Sequence, residues 1–143
     1  MTDQNYSNHT RWYPLFHFVV MPLLTLNFLS HLFRFFMTPS WGLAFWTILG
    51  IALILMAFVS RLQALKAQDR VIRLEERMRY RDVLSPELAK RANDLRAGQI
   101  IALRFASDEE LSGLVERTLN GEFAKPKEIK QAIKNWRGDN FRV

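Results

Sequence analysis

Two long apolar runs, separated only by Met37-Thr38-Pro39-Ser40, constrain this chain more than any other feature. The first extends from Tyr13-Pro14 to Phe36 and carries one charge, Arg34; the second, from Trp41 to Val59, carries none. About 20 mostly apolar helical residues cross a bilayer core of roughly 30 Å. Only a helix or a closed barrel keeps its backbone N–H and C=O groups paired there. Both runs meet that length, and the break between them has room for a turn alone. The sequence therefore predicts an all-α protein. A polar segment over 1–12 precedes a two-helix transmembrane hairpin over 13–60, with spans at about 14–36 and 41–60. A long juxtamembrane helix follows over 61–84, then a small cytoplasmic bundle of short helices over 85–143. A cleaved signal peptide is the rival explanation of the first run. Against it, Arg11 is the only basic residue ahead of the run, Leu32–Phe36 offers no small-residue cleavage site, and a second span follows at once.

Charge is divided as sharply as hydropathy. All but two of the 20 Lys+Arg and all but one of the 14 Asp+Glu lie in residues 61–143. The basic excess suits an anionic membrane surface or nucleic acid. The chain has no cysteine, which excludes disulfides, thiolate nucleophiles and Cys metal sites. Arg61, Lys66, Arg70, Arg73 and Arg77 follow closely on the second span, whereas the connecting turn has no basic residue. The positive-inside rule then puts the tail in the cytoplasm, and two spans put the N-terminus there too. On that side the sequons Asn5-Tyr6-Ser7 and Asn8-His9-Thr10 carry no meaning, and residues 1–11 are expected to be frayed.

Within the first span, Trp12 and Tyr13 suit a headgroup-level aromatic belt. Pro14 suits a first helical position, and Pro22 is expected to kink the helix. Asn27, Ser30, His31 and Arg34 share one face at spacings of 3, 4 and 7. Polar groups in lipid normally turn toward protein, so this is the expected membrane-partner face; snorkelling of Arg34 to headgroups is the bland explanation. In the second span Thr47, Gly50, Ala57 and Ser60 offer a small-residue side for close helix approach.

Past the membrane, no Gly or Pro interrupts Arg61–Leu84, so the second helix should run on. Ala64, Ala67, Val71, Leu74 and Met78 repeat at 3 and 4, a short heptad-like seam that makes Val71, Leu74 and Met78 a candidate stalk interface. Asp69–Arg73 and Glu75–Arg79 are candidate i,i+4 ion pairs. Ser85-Pro86 should cap a helix carrying Leu88, Ala92 and Leu95, which Gly98 should break. A short apolar helix over Gln99–Ala106 comes next. Ser107-Asp108-Glu109-Glu110 reads as a capping box opening an amphipathic helix with Leu111, Leu114, Val115 and Leu119 that stops at Gly121. Pro126 should start a last helix with Ile129, Ile133 and Trp136 inside. Lys127, Lys130, Lys134 and Arg137 then form an outer basic stripe for anionic lipid or an acidic partner. So few short helices promise a marginal core, helped by docking.

Chemistry is sparse. The chain has no Gly-rich phosphate loop, HExxH or GxSxG, no catalytic constellation and no metal-ligand cluster. No carboxylate lies within either span, which argues against a carboxylate proton path. No cofactor is predicted; the one candidate pair is His17 and His31, 14 residues apart on one helical face, which in a dimer could ligate haem or chlorophyll.

The stretches Lys66–Arg77, Ile101–Leu111 and Lys127–Arg137, with the closing Phe141-Arg142-Val143, resemble an uncharacterised family of small bacterial two-span membrane proteins. The resemblance covers nearly the whole chain. It implies two spans, a charged helical cytoplasmic tail and a bacterial inner membrane, and it implies no activity. The family pattern has Pro where this chain has Gly138, which implies a looser chain end here. Taken together, the expected role is a non-enzymatic accessory subunit stabilising a larger inner-membrane complex, photosynthetic or respiratory by analogy. Its expected partners are membrane-complex subunits, membrane lipids and a second copy of itself. The alternatives are a haem- or chlorophyll-ligating subunit using His17 and His31, and a membrane-tethered regulator whose tail binds a protein or nucleic acid.

Overall fold

The computed structural model describes residues 4–8 and 12–139, which leaves the closing Phe141–Val143 outside the described residues. A π-helical stretch, Leu15–Val20, leads into α1, Met21–Met37; α2 spans Trp41–Val83. Then come α3 (Pro86–Arg91), a 3-10 turn (Ala92–Asp94), α4 (Ala97–Leu103), α5 (Asp108–Leu119) and α6 (Pro126–Ala132). Among the described residues the only strand-like pairing is an isolated bridge between Ala106 and Trp136. The chain divides into two compact units, Arg11–Leu65 and a second that joins Lys66–Val143 to Met1–Thr10.

The first unit holds two helices long and apolar enough to cross a membrane, Leu15–Met37 and the start of Trp41–Val83. Their apolar side chains are not inside the protein: Phe18, Leu23, Leu26, Phe33, Phe45, Ile48 and Leu55 are each more than half exposed. A soluble core helix would bury such residues. The expected distortion at Pro22 lies just ahead of it. The Met21 N–H reaches back to Phe16 O, a π-type bond, directly ahead of Pro22, which has no N–H to donate. The two helices touch where the sequence is small. A Cβ on Gly50 would stand 3.2 Å from Phe28 Cβ and 3.3 Å from its Cα. Beside it Thr47 is buried, its hydroxyl donating to Leu43 O at 2.8 Å, and the ring of His31 stacks on Trp46 at 5.9 Å.

The second unit has a real core. Tyr80 from the end of α2 and Leu84 just past it pack with Leu88, Leu95, Ile100, Leu103, Phe105, Leu111, Leu114, Val115, Ile129 and Ile133. A domain border at 84/85 would cut through that cluster, because the last turns of α2 form one wall of it. Several local expectations hold. Ser85 Oγ accepts from Leu88 N–H and starts α3, and α5 closes at Gly121, whose φ is +78°. There Glu122 N–H bonds Arg117 O and Gly121 N–H bonds Thr118 O, each at 3.1 Å, the paired 6→1 and 5→2 pattern of a Schellman stop. Gly121→Ala forces a Cβ into left-handed backbone and should cost about 1 kcal/mol, read as a lower thermal midpoint of the detergent-solubilised chain by circular dichroism.

Other expectations fail for identifiable reasons. Gly98 does not break a helix; it lies inside α4, where a Cβ would meet Pro126 Cγ at 3.1 Å, so it lets α6 come close. The break falls instead at Leu95 and Arg96, both extended. The Ser107 hydroxyl makes no capping bond, and Glu110 does not reach back to Ser107. Its carboxylate accepts the backbone N–H groups of Lys134 (3.2 Å) and Asn135 (3.0 Å). That capture ends α6 early: Ile133 is extended, and Trp136 reaches Phe105 (ring centroids 5.0 Å apart) from a non-helical segment. Of the N-terminal segment, residues 4–8 are described, and they make hydrogen bonds. Asn5 Oδ1 accepts from the Ser7 N–H at 2.9 Å, and Asp139 N–H donates to Gln4 Oε1 at 2.8 Å.

Candidate functional site

The polar residues of α1 divide into two sets. His31 is half-buried against α2 through its stack on Trp46, with Nδ1 buried and unpartnered. Asn27, Ser30 and Arg34 are exposed. Ser30 Oγ donates to Asn27 O at 2.9 Å, a bond within the helix. The side chain of Asn27 has no hydrogen-bond partner among the described residues, and it lies near the middle of the Leu15–Met37 apolar helix. The expected four-residue face is thus a three-residue face of Asn27, Ser30 and Arg34, with His31 belonging to the helix–helix contact. His17 Nδ1 donates to Tyr13 O at 2.9 Å, and its ring meets Trp12 edge-on at 4.9 Å. These two histidines each have an aromatic neighbour, the His17 ring packed by Trp12 and the His31 ring by Trp46.

The tail holds a charged cleft that the sequence did not announce. It encloses about 370 Å³, and Glu75, Glu76, Arg79, Arg104, Arg137 and Asp139 line it. Glu76 follows Ile72 and precedes Tyr80 at intervals of four, which turns its carboxylate inward among apolar neighbours. Arg79 Nη1 meets Glu76 Oε2 at 3.2 Å and Arg137 Nη1 meets Glu76 Oε1 at 3.3 Å. Arg79 also donates through Nε to Asp108 Oδ1 and through Nη2 to Ala106 O, both at 2.7 Å. Arg104 Nε lies 3.0 Å from Asp139 Oδ2, and its guanidinium sits 4.5 Å above the Phe105 ring. Burial pushes the Glu76 carboxyl above the usual carboxylate range, and Arg79, then Arg137 and Arg104, draw it part of the way back. Burial, with Glu76 nearby, also pushes the Tyr80 hydroxyl up. Cations and carboxylates balance here, and the cluster ties α2, the start of α5 and the segment after α6 together. Its chemistry is bracing. The usable signal in the sequence was the stripe Ile72, Glu76, Tyr80, Leu84, which marks the inner face of α2 and places a carboxylate on it.

The remaining candidate residues are dispersed. Lys127 and Lys130 are on α6, whereas Lys134 and Arg137 lie beyond it. Lys130 Nζ sits 5.6 Å from the Phe105 ring and Arg137 is engaged with Glu76, so the four do not form a helical stripe. Val71, Leu74 and Met78 are 52%, 62% and 65% exposed. Neither Asp69–Arg73 nor Glu75–Arg79 forms among the described residues; in the second pair Arg79 turns inward to Glu76 and Asp108.

A model of a family of unknown function, DUF6526, matches residues 1–143. The chain belongs to that family. The match takes in both apolar helices of this DUF6526 chain and the whole of its charged tail. No curated protein and no solved structure matches it.

Proposed function

We propose that this protein is a non-enzymatic two-span anchor in a bacterial inner membrane, an accessory subunit that braces a larger membrane complex. The observation that carries the reading is Asn27. Its carboxamide is exposed and unpartnered midway along a helix whose other exposed residues are mostly apolar. A polar group in hydrocarbon without a hydrogen bond costs at least about 1 kcal/mol, so such groups normally face protein. Ser30 and Arg34 extend the same face toward the turn, where Arg34 also reaches headgroups.

The two-span topology has its own support. Residues before Arg11 and after Leu65 lie in one compact unit, and Gln4 bonds Asp139 within it. The segment between them leaves that unit and returns to it, as an even number of crossings requires. The basic residues that open the tail put that unit in the cytoplasm.

A photoactivatable side chain at position 27, in the native membrane, tests the partner face. It should give a discrete cross-linked product with a second protein, and the same group at Phe45 should give lipid adducts. Asn27→Leu should shift the native-gel position of the detergent extract to lower mass while carbonate extraction still leaves the chain in the membrane. A wild-type chain that migrates alone, with lipid adducts only at position 27, contradicts the accessory-subunit reading.

A further inference from the structure

The face of α2 that the tail leaves bare carries an apolar heptad pattern. With Ala64 taken as position a, the heptad runs Ala64, Val71, Met78 at a and Ala67, Leu74 at d. The tail packs on the opposite side of the same helix. Its buried contacts are Ile72, Glu76, Tyr80 and Leu84, and Glu76 is the f position, the one farthest from an a/d seam. The seam therefore stays open: Val71, Leu74 and Met78 are all more than half exposed. A second copy can lie along it without displacing the domain core.

The flanking charges say which occupant fits. In a parallel pair, each g residue meets the e residue five positions later on the partner helix. Here g–e places Gln63 opposite Gln68, Arg70 opposite Glu75 and Arg77 opposite Asp82. Both charged pairings are opposite in sign, and they occur twice across a two-fold axis. An antiparallel pair would bring Arg70 and Arg77 together on one flank and Glu75 and Asp82 on the other, all like charges. None of these four residues makes an ion pair among the described residues, and Glu75 is free because Arg79, its helical neighbour, is committed to Glu76, Asp108 and Ala106 O. We infer that the chain forms a parallel, in-register homodimer through this seam. The charge pattern stands by itself. A seam of two heptads is short, and here the inference rests on the membrane reading: two copies held in one bilayer are already parallel and at high effective concentration.

The absence of cysteine makes the test clean. Val71→Cys, Leu74→Cys, Met78→Cys and the control Asp69→Cys, at an f position, are oxidised in native membranes. Disulfides need Cα atoms within about 7 Å, so all three seam variants should cross-link to themselves and Asp69→Cys should not. In the Leu74→Cys background, Arg70→Glu should weaken dimerisation about tenfold, and adding Glu75→Arg should restore it. Cross-linking no stronger at the seam than at position 69, or confined to one seam position as an antiparallel crossing would give, overturns the inference. Carbonate extraction of the same membranes scores the anchor independently.

Discussion

Replacing Arg79 with Leu should cost about 3 kcal/mol of tail stability and more at pH 8 than near pH 5. Arg79 is the chief counter-charge to a buried carboxylate, and it also satisfies Ala106 O and holds Asp108 at the head of α5. Removing one partner of a buried pair leaves the other charge without compensation, which is far costlier than the net worth of the pair. The pH dependence follows from the raised Glu76 value. The folded state binds the Glu76 proton more tightly than the unfolded chain does. The penalty for ionised Glu76 is therefore absent below the ordinary value of 4.5 and grows to its full size as pH rises through the folded value. Without Arg79 the folded value climbs further and the penalty deepens. Urea unfolding of Arg79→Leu against wild type at both pH values measures it. A loss equal at both would show that the guanidinium acts through Ala106 O and Asp108 alone. Glu76→Gln removes the buried charge together with its partners' attraction and should cost no more than about 1 kcal/mol.

The second large effect is at Gly50. The nearest atoms to a Cβ there are Phe28 Cβ and backbone Cα, which cannot swing aside as a side-chain tip can. Gly50→Leu must push α1 from α2 and separate His31 from Trp46. Overpacking of this kind costs about 1 to 3 kcal/mol, and the detergent-solubilised variant should lose its fold at lower temperature. Gly50→Ala should be close to neutral, since its helix propensity gain of about 1 kcal/mol offsets a contact that yields by a few tenths of an ångström. If Leu and Ala at position 50 behave alike, Phe28 does not set the spacing of the two helices.

These two sites mark what the sequence made legible. Element types and most boundaries follow from local chemistry: two apolar runs, Ser85-Pro86, Gly121, Pro126. The small-residue side of the second span held at Thr47 and Gly50, where α1 lies. Tertiary competition hid the rest. Glu75 and Glu76 are adjacent carboxylates, and the packing of Ile72 and Tyr80 turns the second one inward to take Arg79. Glu110 reads as a capping residue, yet the free N–H groups of Lys134 and Asn135 win its carboxylate and shorten α6, which removes the basic stripe. Gly98 reads as a breaker because nothing nearby in sequence shows that Pro126 packs against it. The polar face of α1 was legible as a group of four, but its division into His31 inward and Asn27, Ser30 and Arg34 outward depends on where Trp46 lies.

In the proposed topology the anchor crosses the membrane twice and returns its charged tail to the side of its N-terminus. Single cysteines at Ser40, in the turn, and at Glu122, in the exposed stop after α5, probe it in a chain that has none of its own. A membrane-impermeant maleimide should label Ser40→Cys in intact cells and Glu122→Cys only after lysis. Labelling of both only after lysis, with the chain released by alkaline carbonate, would contradict the account.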